Sequence, residues 1–278
     1  MLLEKLSNEA GVSGDEGAIR KIIIPAIKPH VDRVTVDTMG NVYAYKGNAP
    51  DMPTVMIAAH MDEVGVIITK INDSGMLKFE LVGSFDRRIL PGKRVRVGKD
   101  KIPGVIGLKA IHFVMLSKMS QSPSLESMAI DVGLKPKGIS LGDFAVFDVE
   151  FGHLNSDPND WQKGVVKGKA IDDRAGCAIL IELLKHDYAV NIVGVFTVQE
   201  ELGLRGAVVA SQRIEPDIGI ALDCTSTDDV PFGQKKGDGY PCLGDGPVLV
   251  RMDKSFIADR KLFGRACHDH FDSKSLPS

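Results

Sequence analysis

Apolar residues recur along this chain in two rhythms. Four dense runs rich in Val and Ile occupy Thr54–Ala59, Gly164–Ile171, Ile192–Val198 and Ile218–Leu222. Runs of that length and composition read as strands buried on both faces of a sheet. Between them the spacing turns helical. Leu2, Leu3 and Leu6 share one face of a first helix. A second begins near Asp15, with Ser13 as its N-cap and with Pro25 and Pro29 crowding its end. Further helices are expected over Arg174–Lys185 and Leu204–Arg213, the latter stopped by Glu215-Pro216. Residues 34–38 and 41–45 flank Met39-Gly40 as a hairpin. Strands alternating with helices predict an α/β fold, a mostly parallel or mixed sheet with helices on both faces.

The rhythm changes between about Val66 and Asp160. Short alternating segments recur at 65–71, 77–82, 94–97, 101–108 and 144–151, punctuated by Gly, Pro and Asp. That pattern predicts a small antiparallel β barrel or sandwich. It interrupts two α/β-like stretches, so the expected organisation is a discontinuous α/β domain, 1–65 and 161–278, with an inserted β domain at 66–160. Ser117–Ser127 is polar and Ser-rich and is expected to be a mobile loop. Gly264–Ser278 is polar without period and is expected to be a frayed tail.

Composition narrows the function. The chain has 278 residues, enough for more than one domain. A net charge of -3, with its basic residues scattered, leaves no electrostatic footprint for nucleic acid. No apolar stretch is long enough to cross a membrane as a helix. The first residues, Met1–Leu6, read as too short and too charged for a signal peptide, and the four cysteines form no CxxC, so reduced thiols and a cytoplasmic location are expected. There is no G-x-S-x-G, Walker A or G-x-G-x-x-G. Cys177 falls within an expected helix and reads as core. His112 and His153 lie in the inserted region and read as structural or surface residues.

Each dense run ends in acid. The islands are His60-Met61-Asp62, Asp172-Asp173, Glu200-Glu201 and Asp223. Ligands of open α/β sheets gather at the carboxyl ends of the strands. Carboxylates converging there repel one another unless a positive object sits between them, and a pair of divalent metals is the simplest such object. Each island has a plainer reading on its own. His60 could sit in an ordinary turn, Asp172 or Asp173 could cap the helix that follows, and Glu200-Glu201 could be a solvated turn. In the metal reading, His60 is a ligand and Asp62 orients it. Asp172 could bridge two metals, with Arg174 paired to Asp173. One of Glu200 and Glu201 binds metal while the other takes a proton from water.

The segments Ala59–Gly65, Lys169–Gly176, Thr197–Gly203 and Ala221–Asp223, in this order, resemble the TET-type metallo-aminopeptidases, a family also named glutamyl or deblocking aminopeptidase and sometimes endoglucanase. The resemblance runs from about Met1 to Arg260. It implies a zinc-exopeptidase-like domain carrying two divalent ions, zinc or cobalt, and an inserted barrel used in oligomerisation. It implies that Asp172 bridges the metals, that His60 and Asp223 complete one site, and that Glu201 serves the other. Glu200 would be the general base and Asp62 would orient His60. Substrates would be peptides cut at the N-terminus, and assembly would run from dimers to hollow dodecamers.

The family's last ligand, a histidine near the C-terminus, has no counterpart in its usual context. His268 and His270 lie in the irregular stretch. This leaves the expectation of an incomplete second metal site, and a second reading as a truncated, impaired subunit that retains one metal. A third reading, glycoside hydrolase, would leave His60 without a task and would need two facing carboxyls rather than neighbouring ones.

Overall fold

The structure, a computed structural model, describes residues 1–108, 122–133, 137–154, 164–227, 241–244 and 246–272. The chain divides into two compact units, Met1–Cys224 and Thr225–Ser278.

The first unit is built on a five-stranded mixed sheet. Its strands are β1 (Arg33–Val36), β2 (Val42–Lys46), β3 (Thr54–His60), β12 (Asn191–Thr197) and β13 (Ile218–Ala221), in the order β1-β2-β12-β3-β13. The hairpin around Met39-Gly40 pairs β1 with β2, Val36 opposite Val42. β12 is antiparallel to β2 and parallel to β3, and β13 is parallel to β3. Period-2 alternation divides the sheet between two cores. Val55, Ile57 and Ala59 of β3, with Ile192 and Phe196 of β12, pack against α1 (Leu2–Asn8), α2 (Gly17–Ile27) and α3 (Ile171–Leu183). Met56, Val193 and Val195 face the other way, onto Ala210 and Ile214 of α4 (Arg205–Ile214). Helices therefore cover both faces, as the alternation of elements required.

The inserted region is a closed antiparallel barrel. Strands β4 (Gly65–Ile71), β5 (Leu77–Val82), β6 (Arg94–Val97), β7 (Ile102–Leu108), β8 (Met128–Asp131) and β9 (Phe144–Phe147) join in the order β4-β5-β8-β7-β6-β9. Val66, Ile68, Leu77, Phe79, Val95, Val97, Ile106 and Ile130 fill it. Closure leaves no free edge, and it needs β8, a short strand whose alternation the Ser-rich stretch before it hid. Of that stretch, 117–121 lie outside the described residues, while Leu125–Ser127 form a 3-10 turn.

Other expectations are corrected. The run Gly164–Ile171 is not a buried sheet strand. Only Val165–Lys167 are extended, as β11, and they pair with β10 (Gly152–Leu154) in a separate two-stranded ribbon with outer residues exposed. Ile171 already belongs to α3. β13 is an edge strand exposed along most of its length, since it pairs with β3 alone among the described residues. Ser13 does not cap α2; its hydroxyl is turned toward Asp62. In the second unit, Arg260–Asp272 form a helix, α5, where a frayed tail was expected. Asp259 accepts hydrogen bonds from the Lys261 and Leu262 amides at 3.0 and 2.9 Å and so satisfies two free donors of its first turn. Leu262, Phe263, Ala266 and Cys267 supply the helical spacing that polar neighbours masked. His268 lies on this helix, and the side chain of His270 lies outside what is described.

Candidate metal centre

Three parallel strands and one helix deliver the acidic islands to one place. β12 runs beside β3 with Thr197 opposite His60, and β13 flanks β3 on the other side with Ala221 opposite Ala58. All three strands end at the same sheet edge, so His60, Glu200, Glu201 and Asp223 emerge together. The start of α3 adds Asp172 and Asp173. The peptide between these two is cis.

His60 is the hub. It is buried, with Nε2 3.0 Å from Asp172 Oδ1, 3.8 Å from Glu200 Oε2 and 3.9 Å from Asp223 Oδ1. Its Nδ1 faces Asp62, 3.2 Å from the backbone carbonyl and 3.5 Å from Oδ1. One nitrogen thus points into the acidic cluster while the other is held from behind.

The two aspartates differ. Asp172 is exposed, at 58% of its side chain, and its carboxylate is free to face His60. Asp173 is fully buried and accepts from the His60 amide at 3.1 Å and the Gly176 amide at 2.9 Å. The second contact caps the helical turns that follow Asp173 within α3, as the cap-like reading of this island expected. Oxygens of Asp173 also come within 4.8 Å of a His60 ring nitrogen and Asp223. Those oxygens are committed to backbone donors, which leaves Asp172 the better donor to an ion. The expected Asp173–Arg174 pair does not form. Arg174 is buried and donates to the Leu6 carbonyl at 2.7 Å, with Glu63 3.6 Å away.

The electrostatics describe a site short of positive charge. Burial raises Glu201 to about 7, with Asp172 and Glu200 adding to it and His60 opposing. Burial likewise lifts Asp173 to about 7, with a further push from Asp223. Glu200 is also raised, by burial first and then by the charges of Asp223, Asp62 and Asp172. Asp223 rises through burial and Asp172. Burial alone would lower the His60 pKa, yet Asp172, Asp62 and Asp173 carry it up to about 11. Atoms of His60, Glu200 and Glu201 lie within 4.8 Å of one another, as do those of His60, Asp173 and Asp223. One nitrogen and several strained oxygens at such spacing suit a divalent cation, which would favour every carboxylate's ionised form. Cys177 is not a competing nucleophile: burial pushes its thiol far up, and it donates to the His60 carbonyl.

Several residues of the surrounding shell were missed from sequence. Glu63 and Lys169 are buried and paired at 2.7 Å, and Glu63 also accepts the Gly11 amide. Ser13, Glu16 and Asn41, all buried, bind Asp62 or the strand leading to Glu200. Their one local signal was a polar residue flanking an apolar run or a Gly turn.

A family model described as M42 glutamyl aminopeptidase matches residues 40–267. The chain belongs to this family. Among its relatives, the lysyl aminopeptidase of Pyrococcus furiosus is 32% identical over 264 residues, covering 89% of this chain and 72% of the relative. The solved aminopeptidase APDkam598 of Desulfurococcus kamchatkensis superposes with a TM-score of 0.88 at 34% identity, over 99% of this chain and 77% of that one. The Pyrococcus horikoshii TET1 peptidase, described as able to assemble into a tetrahedron or a large octahedral shell, superposes at 0.79 and 34% identity over 96% and 79% of the chains. As an M42 member this chain is an enzyme, a peptidase of the aminopeptidase class. No helix among its described residues is long and apolar enough to cross a membrane.

Proposed function

We propose that this M42 enzyme removes N-terminal residues from peptides with a centre for two divalent cations, zinc or cobalt. The observation that carries the reading is the convergence of His60, Asp172, Glu200, Glu201 and Asp223 at one sheet edge. Asp172, at the mouth of the cluster, would help to hold both ions. His60 and Asp223 would hold one ion and Glu201 the other. Bound there, the cations would polarise the scissile carbonyl and make water acidic enough to attack it at neutral pH.

Glu200 is the proton carrier. Its carboxyl is only partly buried and burial raises its pKa above the ordinary carboxylate value, which makes it a better acceptor for a proton from the attacking water and lets it return that proton to the leaving amine. Asp62 holds His60 from behind, which fixes the ring's orientation and presents Nε2 to the cluster.

Residues 66–160 are read as the module of self-association and 1–65 with 161–278 as the catalytic part. The assembly described for the TET1 peptidase supports self-association into larger oligomers, which sedimentation velocity would reveal.

The deciding experiment is turnover of aminoacyl p-nitroanilides before and after chelation. Chelator should abolish turnover, and zinc or cobalt should restore it. Glu200→Gln should lower kcat by about 10²- to 10⁴-fold while elemental analysis still finds bound metal. Turnover that survives exhaustive chelation would overturn the metal reading.

A further inference from the structure

Four consecutive backbone N–H groups just beyond the end of β12 are each held by a buried side chain from elsewhere in the fold. Asn41 Oδ1 accepts from Val198 at 3.0 Å, and Glu16 Oε1 from Gln199 at 3.2 Å. The two oxygens of Asp62 accept from Glu200 at 3.0 Å and from Glu201 at 3.2 Å. Glu16, Asn41 and Asp62 are at most 2% exposed. The strand ladder no longer uses these donors, and a buried N–H without a partner is costly.

Glu16 stands out. It lies 183 residues from Gln199 in sequence, in the turn before α2. Its Oε1 also accepts the Gly14 amide at 2.7 Å, and its Oε2 lies 3.9 Å from Arg20 Nη1. Gln199 has φ of +53°, a left-handed conformation that a residue with a side chain adopts only when its surroundings impose it. Gln199 is the hinge between the strand axis and the Glu200-Glu201 pair. A second acidic side chain buried beside an already acidic site costs stability, and holding the hinge is a reason to keep it there.

We propose that Glu16 is a positioning residue: by accepting the Gln199 amide it sets the hinge that aims Glu200 and Glu201 into the centre. The inference rests on the roles proposed for those two glutamates. It requires the reach of the Glu16 side chain and an acceptor oxygen rather than a negative charge.

Three variants separate reach from charge. Glu16→Gln keeps the reach and an acceptor. Glu16→Asp keeps the charge and shortens the arm, and it also serves if Glu16→Ala does not fold. Glu16→Ala removes both. Turnover of aminoacyl p-nitroanilides should fall in kcat by about 30- to 100-fold in Glu16→Ala, with KM changed by less than about 3-fold. Glu16→Gln should recover to within about 5-fold of the parent and should exceed Glu16→Asp. Zinc affinity, measured by titration calorimetry on the intact metal-stripped chain, should weaken about 10-fold or more in Glu16→Ala and follow the same order. The proposal is overturned if Glu16→Ala keeps the parent's kcat and zinc affinity while melting at lower temperature, since Glu16 would then be structural only. It is also overturned if Glu16→Asp outperforms Glu16→Gln. If the parent cleaves no substrate, the functional reading fails by itself, and the zinc affinities still decide the role of Glu16.

Discussion

Asp62 shows how much one side chain can carry. Both of its oxygens are saturated, by the Ser13 hydroxyl at 2.6 Å and by the Glu200 and Glu201 amides, and Nδ1 of His60 faces it. These partners, together with the His60 charge, hold its carboxyl below the usual range although burial pushes the other way. Asp62→Ala would leave a hydroxyl and two amides without an acceptor. At about 1–3 kcal/mol for each unmet buried donor, a loss on the order of 3 kcal/mol is expected. The loosened glutamates should also cost about 100-fold in kcat. Urea denaturation and steady-state kinetics check the two effects. That Asp62 lies against the His60 ring was legible from the His-x-Asp spacing. That the same aspartate also supports the glutamate pair was not, because hydrogen bonds to backbone amides leave no mark on side-chain spacing.

Among the elements, the turn before α2, the segment after β3 and the start of α3 meet at one buried ion pair. Lys169 Nζ donates to Glu63 Oε1 and to the Glu9 carbonyl, both at 2.7 Å, and the Gly11 amide donates to the same Glu63 oxygen. Lys169 stands three residues before Asp172, and Glu63 follows Asp62, so this contact fixes the approach of α3 to the end of β3. Removing Lys169 takes the short ion pair from buried Glu63, which keeps the Gly11 amide and the more distant Arg174 at 3.6 Å. Lys169→Met should therefore destabilise the fold by about 3–5 kcal/mol, read as a lower urea midpoint at unchanged slope. The strands β3 and β12 were legible because both faces are buried and both faces are apolar. The run Gly164–Ile171 had the same look, yet only three of its residues are extended. The strand stops at Lys167, where Gly168 and the flanking Lys167 and Lys169 interrupt the apolar run, and the chain turns into α3 through Ala170 at φ of +51°.

For the whole molecule, the acidic centre couples stability to pH. Asp173 and Glu201 are raised to about 7 from ordinary values near 4, and His60 is raised to about 11. In each case the folded chain binds its proton more tightly than the unfolded chain does. The stabilisation these protons contribute is complete below the unfolded values and is lost as pH rises through the folded ones. For the carboxyls that window lies between about 4 and 7, and for His60 between about 6.5 and 11. Metal-stripped protein should therefore melt at a lower temperature at pH 8 than at pH 6. Zinc should reverse the trend, because it competes with the same protons and binds better as they leave. Calorimetric melts at both pH values, with and without zinc, test this. A metal-free Tm that rises from pH 6 to pH 8 would contradict the electrostatics of the centre.

What the sequence determined by itself was the set of side chains that end the apolar runs, the change of rhythm at the barrel and the family. These are properties of neighbours along the chain: period, residue type and short motif order. The tertiary structure decided which aspartate faces His60, that Arg174 turns away from Asp173, that β13 is an edge, and that Ser13, Glu16 and Asn41 brace the site. Such facts depend on strand order and on contacts between residues 49 to 183 apart in sequence. A parallel sheet puts residues distant in sequence at one edge, and a side chain's partner there is set by geometry that no local pattern encodes.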